Sequence, residues 1–101
     1  MYKLEFLPIA KKDIDNIVSY ISYNLKNTLA AAQLANEFIV NANNILNFPY
    51  GFSEYKINLN SNNVYRCVKI KNFLMFYLIN ETNKTIIIVR VLYKKMNIEK
   101  N

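Results

Sequence analysis

Apolar positions follow a helical period in the first half of this chain and a strand period in the second. The opening YKLEFL alternates apolar and polar residues and predicts a short strand, stopped by Pro8, a residue suited to the first turn of a helix. Ile14, Ile17, Val18, Ile21 and Leu25 then recur at helical spacing, and Lys11, Lys12, Asp13, Asp15 and Asn16 are assigned to the opposite, solvated face. After NLKN, Thr28 is the expected N-cap of a second helix whose stripe runs through Ala31, Leu34, Ala35, Phe38, Ala42 and Ile45. Ala30, Ala31, Ala32 and Ala35 are small enough to let two helices approach closely, which predicts an antiparallel helical hairpin ending at FPYGF.

Beyond that point β-branched and aromatic residues dominate. Strands are predicted for YKINL (55–59), VYRCVKI (64–70), FLMFYLI (73–79) and TIIIVRVLY (85–93), with Lys71 and Asn72 in a tight hairpin and NETNK in a longer one. FLMFYLI and TIIIVRVLY are apolar on both faces, the pattern of central strands covered on both sides. The expected fold class is α+β: an N-terminal strand, an antiparallel helical hairpin, then an antiparallel meander of three to four strands, with the first strand pairing at an edge of the meander. At 101 residues this is a single domain.

Charge changes the picture more than composition does. The net charge of +6 lies wholly in the second half, where nine cations face three carboxylates, whereas the first fifty residues are neutral. Such asymmetry suits a polyanionic partner, nucleic acid or acidic protein; a solvated basic surface kept for solubility is the plainer reading. With no histidine and a single cysteine, Cys67, the chain holds no intrachain disulfide and no zinc-type ligand set, and no metal or cofactor is expected. No apolar window is long enough for a membrane span. The KKD run after MYKLEFLPIA breaks any signal-peptide pattern, so the sequence reads as a soluble cytoplasmic protein.

Without histidine, any catalysis must rest on tyrosine, lysine, arginine or carboxylates. Arg90 stands among aliphatic residues in a strand, where a guanidinium must be paired or reach water: Glu54 or Glu81 are candidate partners, and an anion clamp formed with Arg66 on a neighbouring strand is the other reading. Strand alternation puts Arg90 and Tyr93 on opposite faces, so their cooperation requires a bend or bulge near Leu92. Tyr93 could stack on a base or exchange a proton, and Lys94 and Lys95 could hold phosphates; an amphipathic edge residue and a solvated tail are the corresponding structural readings. Cys67 is read as core packing.

The order of elements and a series of local marks resemble the RelE/ParE superfamily of bacterial toxins, including its plasmid-stabilisation branch. The marks are Ala10 to Ile17 with Tyr20 and Ile21, LAAAQLA, NILNFPYGF, YRCVKIKNFLMFY and IIIVRVLYKKMNI, which together span nearly the whole chain. The resemblance implies a microbial RNase-like sheet with a helical hairpin on one side and a basic functional face on the other. It also implies a toxin of a type II toxin–antitoxin system, silenced by an acidic cognate antitoxin that wraps it. The leading expectation is inhibition of translation by metal-independent, ribosome-dependent mRNA cleavage, as in RelE-type members; the alternative is the DNA gyrase inhibition of ParE-type members. The nuclease expectation nominates Arg66, Arg90, Tyr93 and Lys95 as catalytic and Lys56, Lys69, Lys71 and Lys94 as nucleic-acid-binding. One departure favours the gyrase alternative: Leu74 stands near a position where the nucleases often carry arginine. A degenerate toxin that keeps only antitoxin binding is the third reading.

Overall fold

The computed structural model describes residues 1–56 and 63–95. Strand β1 (Lys3–Phe6) leads into helix α1 (Pro8–Ser19), which runs into a π-helical turn over Tyr20–Asn24, and helix α2 (Thr28–Asn47) follows. Strands β2 (Arg66–Ile70), β3 (Phe73–Asn80) and β4 (Thr85–Tyr93) complete a four-stranded sheet in the order β1-β4-β3-β2. The meander is antiparallel as expected, and β1 adds to its β4 edge in parallel, which makes the sheet mixed and leaves β3 and β4 central.

Helix boundaries follow local chemistry. Pro8 opens α1, where its missing N–H has no acceptor to lose. The cap of α2 is Asn27 rather than Thr28: its side-chain oxygen accepts the Ala30 N–H at 3.0 Å. Before it, Lys26 takes a left-handed conformation (φ 52°), and the Asn27 N–H bonds back to the Ile21 carbonyl, closing the π turn. Tyr55 and Lys56 lie outside any strand, although a Glu54–Arg66 bridge and the bonds Tyr55 N–H to Tyr65 carbonyl and Cys67 N–H to Ser53 carbonyl lay this segment beside β2; the rest of the expected YKINL strand falls outside the described residues.

Alternation along the strands creates two cores. The larger lies between the sheet and the helices, where Leu34, Phe38 and Ile45 of α2 meet Met75, Tyr77 and Ile88. The smaller lies on the other face, where Leu74, Phe76, Val89 and Leu92 are covered by Tyr55 and Tyr65. Tyr77 is fully buried, but its hydroxyl donates to the Pro49 carbonyl at 2.6 Å, which fixes the chain leaving α2 without leaving a polar atom unpaired.

The β3–β4 pairing slips by one residue between Phe76 and Tyr77, because Val89 is an extra residue in β4. The bulge falls at Val89, three residues before the expected position near Leu92. Before it Ile86 and Ile88 face the helices; after it Val91 and Tyr93 do, and Leu92 joins Ile87 and Val89 on the opposite face. Leu92 and Tyr93 have therefore exchanged faces relative to simple alternation.

Candidate functional site

β1 separates from β4 after Leu7, whose N–H bonds to the Ile88 carbonyl, so the next stretch of β4 has an open edge. Asp13 fills it. Its carboxylate accepts from Arg90 Nε at 2.8 Å, from Arg90 Nη2 at 3.0 Å and from the Val91 N–H at 3.0 Å. Asp13 thus belongs to the inward face of α1, not to the solvated face its polarity suggested, and it replaces Glu54 and Glu81 as the partner of Arg90. The carboxylate raises the guanidinium pKa above the ordinary arginine value and keeps it charged, although partial burial opposes this.

Arg66 is held differently. Its guanidinium donates to the Phe52 carbonyl at 2.7 Å, lies 3.5 Å from Glu54 and stacks 5.0 Å above the Tyr50 ring. Together with Glu54 it lines a small hollow of about 260 Å³. β3 separates Arg66 from Arg90, and the row through Arg66 and Tyr77 meets β4 at Ile88. The two arginines are therefore not on neighbouring strands, and each holds a carboxylate of its own.

Past the bulge, Tyr93 rests against Phe73, ring centroids 5.6 Å apart, and walls a groove with the end of α1 and the π turn. Ile17, Tyr20, Ile21 and Leu25 line the helical side of this groove, whose volume is about 560 Å³. A π turn widens the helix and turns side chains that an α-helix would aim elsewhere, and such turns recur at functional sites. The groove is mainly apolar, with Asn16 and Asn72 as its polar groups.

The remaining nominated residues lie elsewhere. Lys71, at φ 54° in the β2–β3 turn, reaches Glu37 of α2 at 3.4 Å. Lys56 is exposed beside Tyr55. Lys69 shares the face of Leu74, opposite the helices, and Lys94 approaches it from beyond the end of β4, with Lys95 next in the chain. The Lys94 ammonium is held below the ordinary lysine range, first by the Lys69 ammonium against it and then by slight burial and Lys95.

Sequence reasoning missed one further cluster. Glu81, in the β3–β4 turn, accepts from Tyr2 at 2.6 Å, from Lys84 at 2.8 Å and from the Tyr50 hydroxyl, tying the N-terminus and the exit of α2 to one hairpin. These donors lower its pKa from 4.5 to about 2. Cys67 is half-buried against the smaller core, and burial raises its thiol to about 11, so it is protonated at neutral pH. Among the described residues no cluster of ligating side chains suits a metal ion, and no helix is long and apolar enough to cross a membrane.

No curated protein sequence matches the chain at a significant level. Among solved structures it is similar to a chain of the chromosomal ParDE toxin–antitoxin system from P. aeruginosa, with 15% identity, a TM-score of 0.73, and coverage of 92% of this chain and 96% of that one. It is also similar to a chain of the archaeal RelE–RelB complex from Pyrococcus horikoshii (12% identity, TM-score 0.62, coverage 93% and 96%). A third is the metal-bound toxin from Helicobacter pylori (18%, 0.59, 92% and 94%). At these identities the likeness is one of fold. The family model for the ParE toxin of type II toxin–antitoxin systems matches residues 4–98. An N-terminal strand, a helical hairpin seated on an antiparallel meander and a family match over nearly the full length agree, and the chain belongs to the ParE toxin family of type II toxin–antitoxin systems.

Proposed function

We propose that this toxin acts as an inhibitory protein ligand of DNA gyrase, the ParE-type activity, rather than by cleaving mRNA. The observation that carries the reading is the separation of the four residues nominated for cleavage. Arg90 is bonded to Asp13, Arg66 to Glu54 and the Phe52 carbonyl, Tyr93 faces the helical groove, and Lys95 is not among the residues that line that groove. Metal-independent cleavage by attack of a 2′-hydroxyl needs a proton acceptor and a cation within reach of one phosphate, held there beforehand. Leu74 is buried in the smaller core, so the position where the nucleases often place arginine serves packing here. An inhibitor needs a complementary surface and no reacting group, and the apolar groove supplies one.

The reading is tested by adding purified toxin to gyrase with relaxed plasmid, and in parallel to a translating ribosome with a toeprinting primer. Loss of supercoiling with undisturbed mRNA is expected. Codon-phased mRNA cuts that disappear in Tyr93→Phe and Lys95→Gln variants, with supercoiling unaffected, would overturn it.

A further inference from the structure

The cations of β2, β3 and β4, with their turns and the exit of β4, divide into two groups. Arg66, Lys71, Lys84 and Arg90 each hold a carboxylate, at 3.5, 3.4, 2.8 and 2.8 Å respectively. Lys69, Lys94 and Lys95 hold none among the described residues, although they come together where β4 ends beside the β2–β3 turn. Lys69, Leu74 and Leu92 form a row across β2, β3 and β4, and Lys94, just beyond it, is fastened to the β2–β3 turn by its N–H on the Asn72 carbonyl at 2.7 Å. The Lys69 ammonium lies close enough to lower the pKa of Lys94, and Lys95 adds to the effect. Exposed like charges ordinarily move apart, so lysines that gather with no carboxylate partner among the described residues form a site suited to an anion.

We propose that Lys69, Lys94 and Lys95 form a contact for the phosphates of duplex DNA. The chemistry of the surroundings favours this over an acidic protein segment. Leu74 and Leu92 beneath the lysines are only 6% and 8% exposed, so the corner offers charge and almost no apolar area. A protein segment gains most from apolar anchors, and those are exposed on the other face, where Tyr20 and Leu25 of the groove are 55% and 57% exposed. A phosphate backbone needs no apolar anchor, and lysines serve it as mobile point charges. The inference rests on the gyrase reading for its setting: a gyrase inhibitor meets DNA held by the enzyme, and this corner lets the toxin touch that DNA while its apolar groove faces protein.

The test is fluorescence anisotropy of a labelled 20-base-pair duplex across 50 to 200 mM salt. It compares the wild type with Lys69→Gln/Lys94→Gln and with a control of equal net charge, Lys11→Gln/Lys12→Gln on exposed positions of α1. Three phosphate contacts predict a log–log salt slope of about −2.7 and a roughly 40-fold loss of affinity over that range. The double variant should fall to a slope near −1, about a fourfold loss, and the control should keep the wild-type slope. Circular dichroism confirms that all three proteins are folded.

Equal weakening in both variants, or no duplex binding at 50 mM salt, would overturn the proposal. So would a polyglutamate peptide that loses binding in the patch variant when the duplex does not. The supercoiling assay keeps the two readings apart. Inhibition with no patch-dependent duplex binding overturns this inference alone, and patch-dependent binding without inhibition overturns the gyrase reading and leaves the DNA contact standing.

Discussion

Replacing Asp13 by alanine removes the one carboxylate that joins α1 to the open edge of β4, and the structure allows the cost to be worked out. Three hydrogen bonds are lost, two from the Arg90 guanidinium and one from the Val91 N–H. The side chains are 29% exposed for Arg90 and 13% for Asp13, so the pair lies between a surface pair, worth about 0–1 kcal/mol, and a buried one, whose breaking costs about 3–5 kcal/mol. Arg90 can regain water once freed, which reduces the loss. The Val91 N–H, beneath the helix, loses its acceptor, and an unsatisfied buried donor costs about 1–3 kcal/mol. Together these give about 2–4 kcal/mol for Asp13→Ala, a fall in Tm of roughly 10–25 °C for a domain of this size. Asp13→Asn keeps an acceptor for the amide and should cost about half as much. Urea unfolding followed by circular dichroism at 222 nm measures both, and a double-mutant cycle with Arg90→Gln isolates the coupling, expected at about 1–3 kcal/mol. A loss under about 0.5 kcal/mol for Asp13→Ala, or strict additivity in the cycle, would refute the claim that this pair fastens helix to sheet.

Two further outcomes follow from local chemistry. The pKa of Glu81 is lowered on folding, so its contribution to stability is complete above about 4.5 and disappears as pH falls through about 2; acid titration of wild type and Glu81→Gln should converge across that window, and parallel curves would sink the idea. Lys26 is exposed and left-handed (φ 52°), a conformation costing a side-chain-bearing residue about 1 kcal/mol, so Lys26→Gly should gain roughly 0.5–1 kcal/mol in the same urea assay, and a loss would contradict it.

How much of this was legible in the sequence depended on range. Helices and strands were, because period and composition act within a few residues: β3 and β4 appear within a residue of their expected bounds, and the apolar stripe of α2 is the one buried. Asp13 was legible by spacing but not by type. Ala10, Asp13, Ile14 and Ile17 stand at helical intervals on one face, yet a carboxylate there is assigned to water unless a cation across the fold is known to meet it. That cation is 77 residues away. Glu81 shows the same limit, for Tyr50 and Tyr2 reach it across 31 and 79 residues, and nothing local in NETNK announces a hub.

The bulge at Val89 was illegible for a further reason, and it has the largest functional consequence. VRVLY contains no glycine and belongs to a strand apolar on both faces, so no break in alternation marks an extra residue. The bulge lies one residue past Ile88, whose carbonyl receives the last bond from the β1 side, and on that edge the Val91 N–H is held by Asp13 instead of a strand, while β3 pairs the other edge to Tyr93. Because side chains alternate with period two, one extra residue sends everything beyond it to the other face. Tyr93 consequently faces the groove with Phe73, while Lys94 turns towards Lys69 on the opposite side. Adjacent residues that a linear reading would gather into a single basic tyrosine site thus serve two surfaces, one apolar and suited to protein, one cationic and suited to phosphate. A gyrase inhibitor of the kind proposed above would use both.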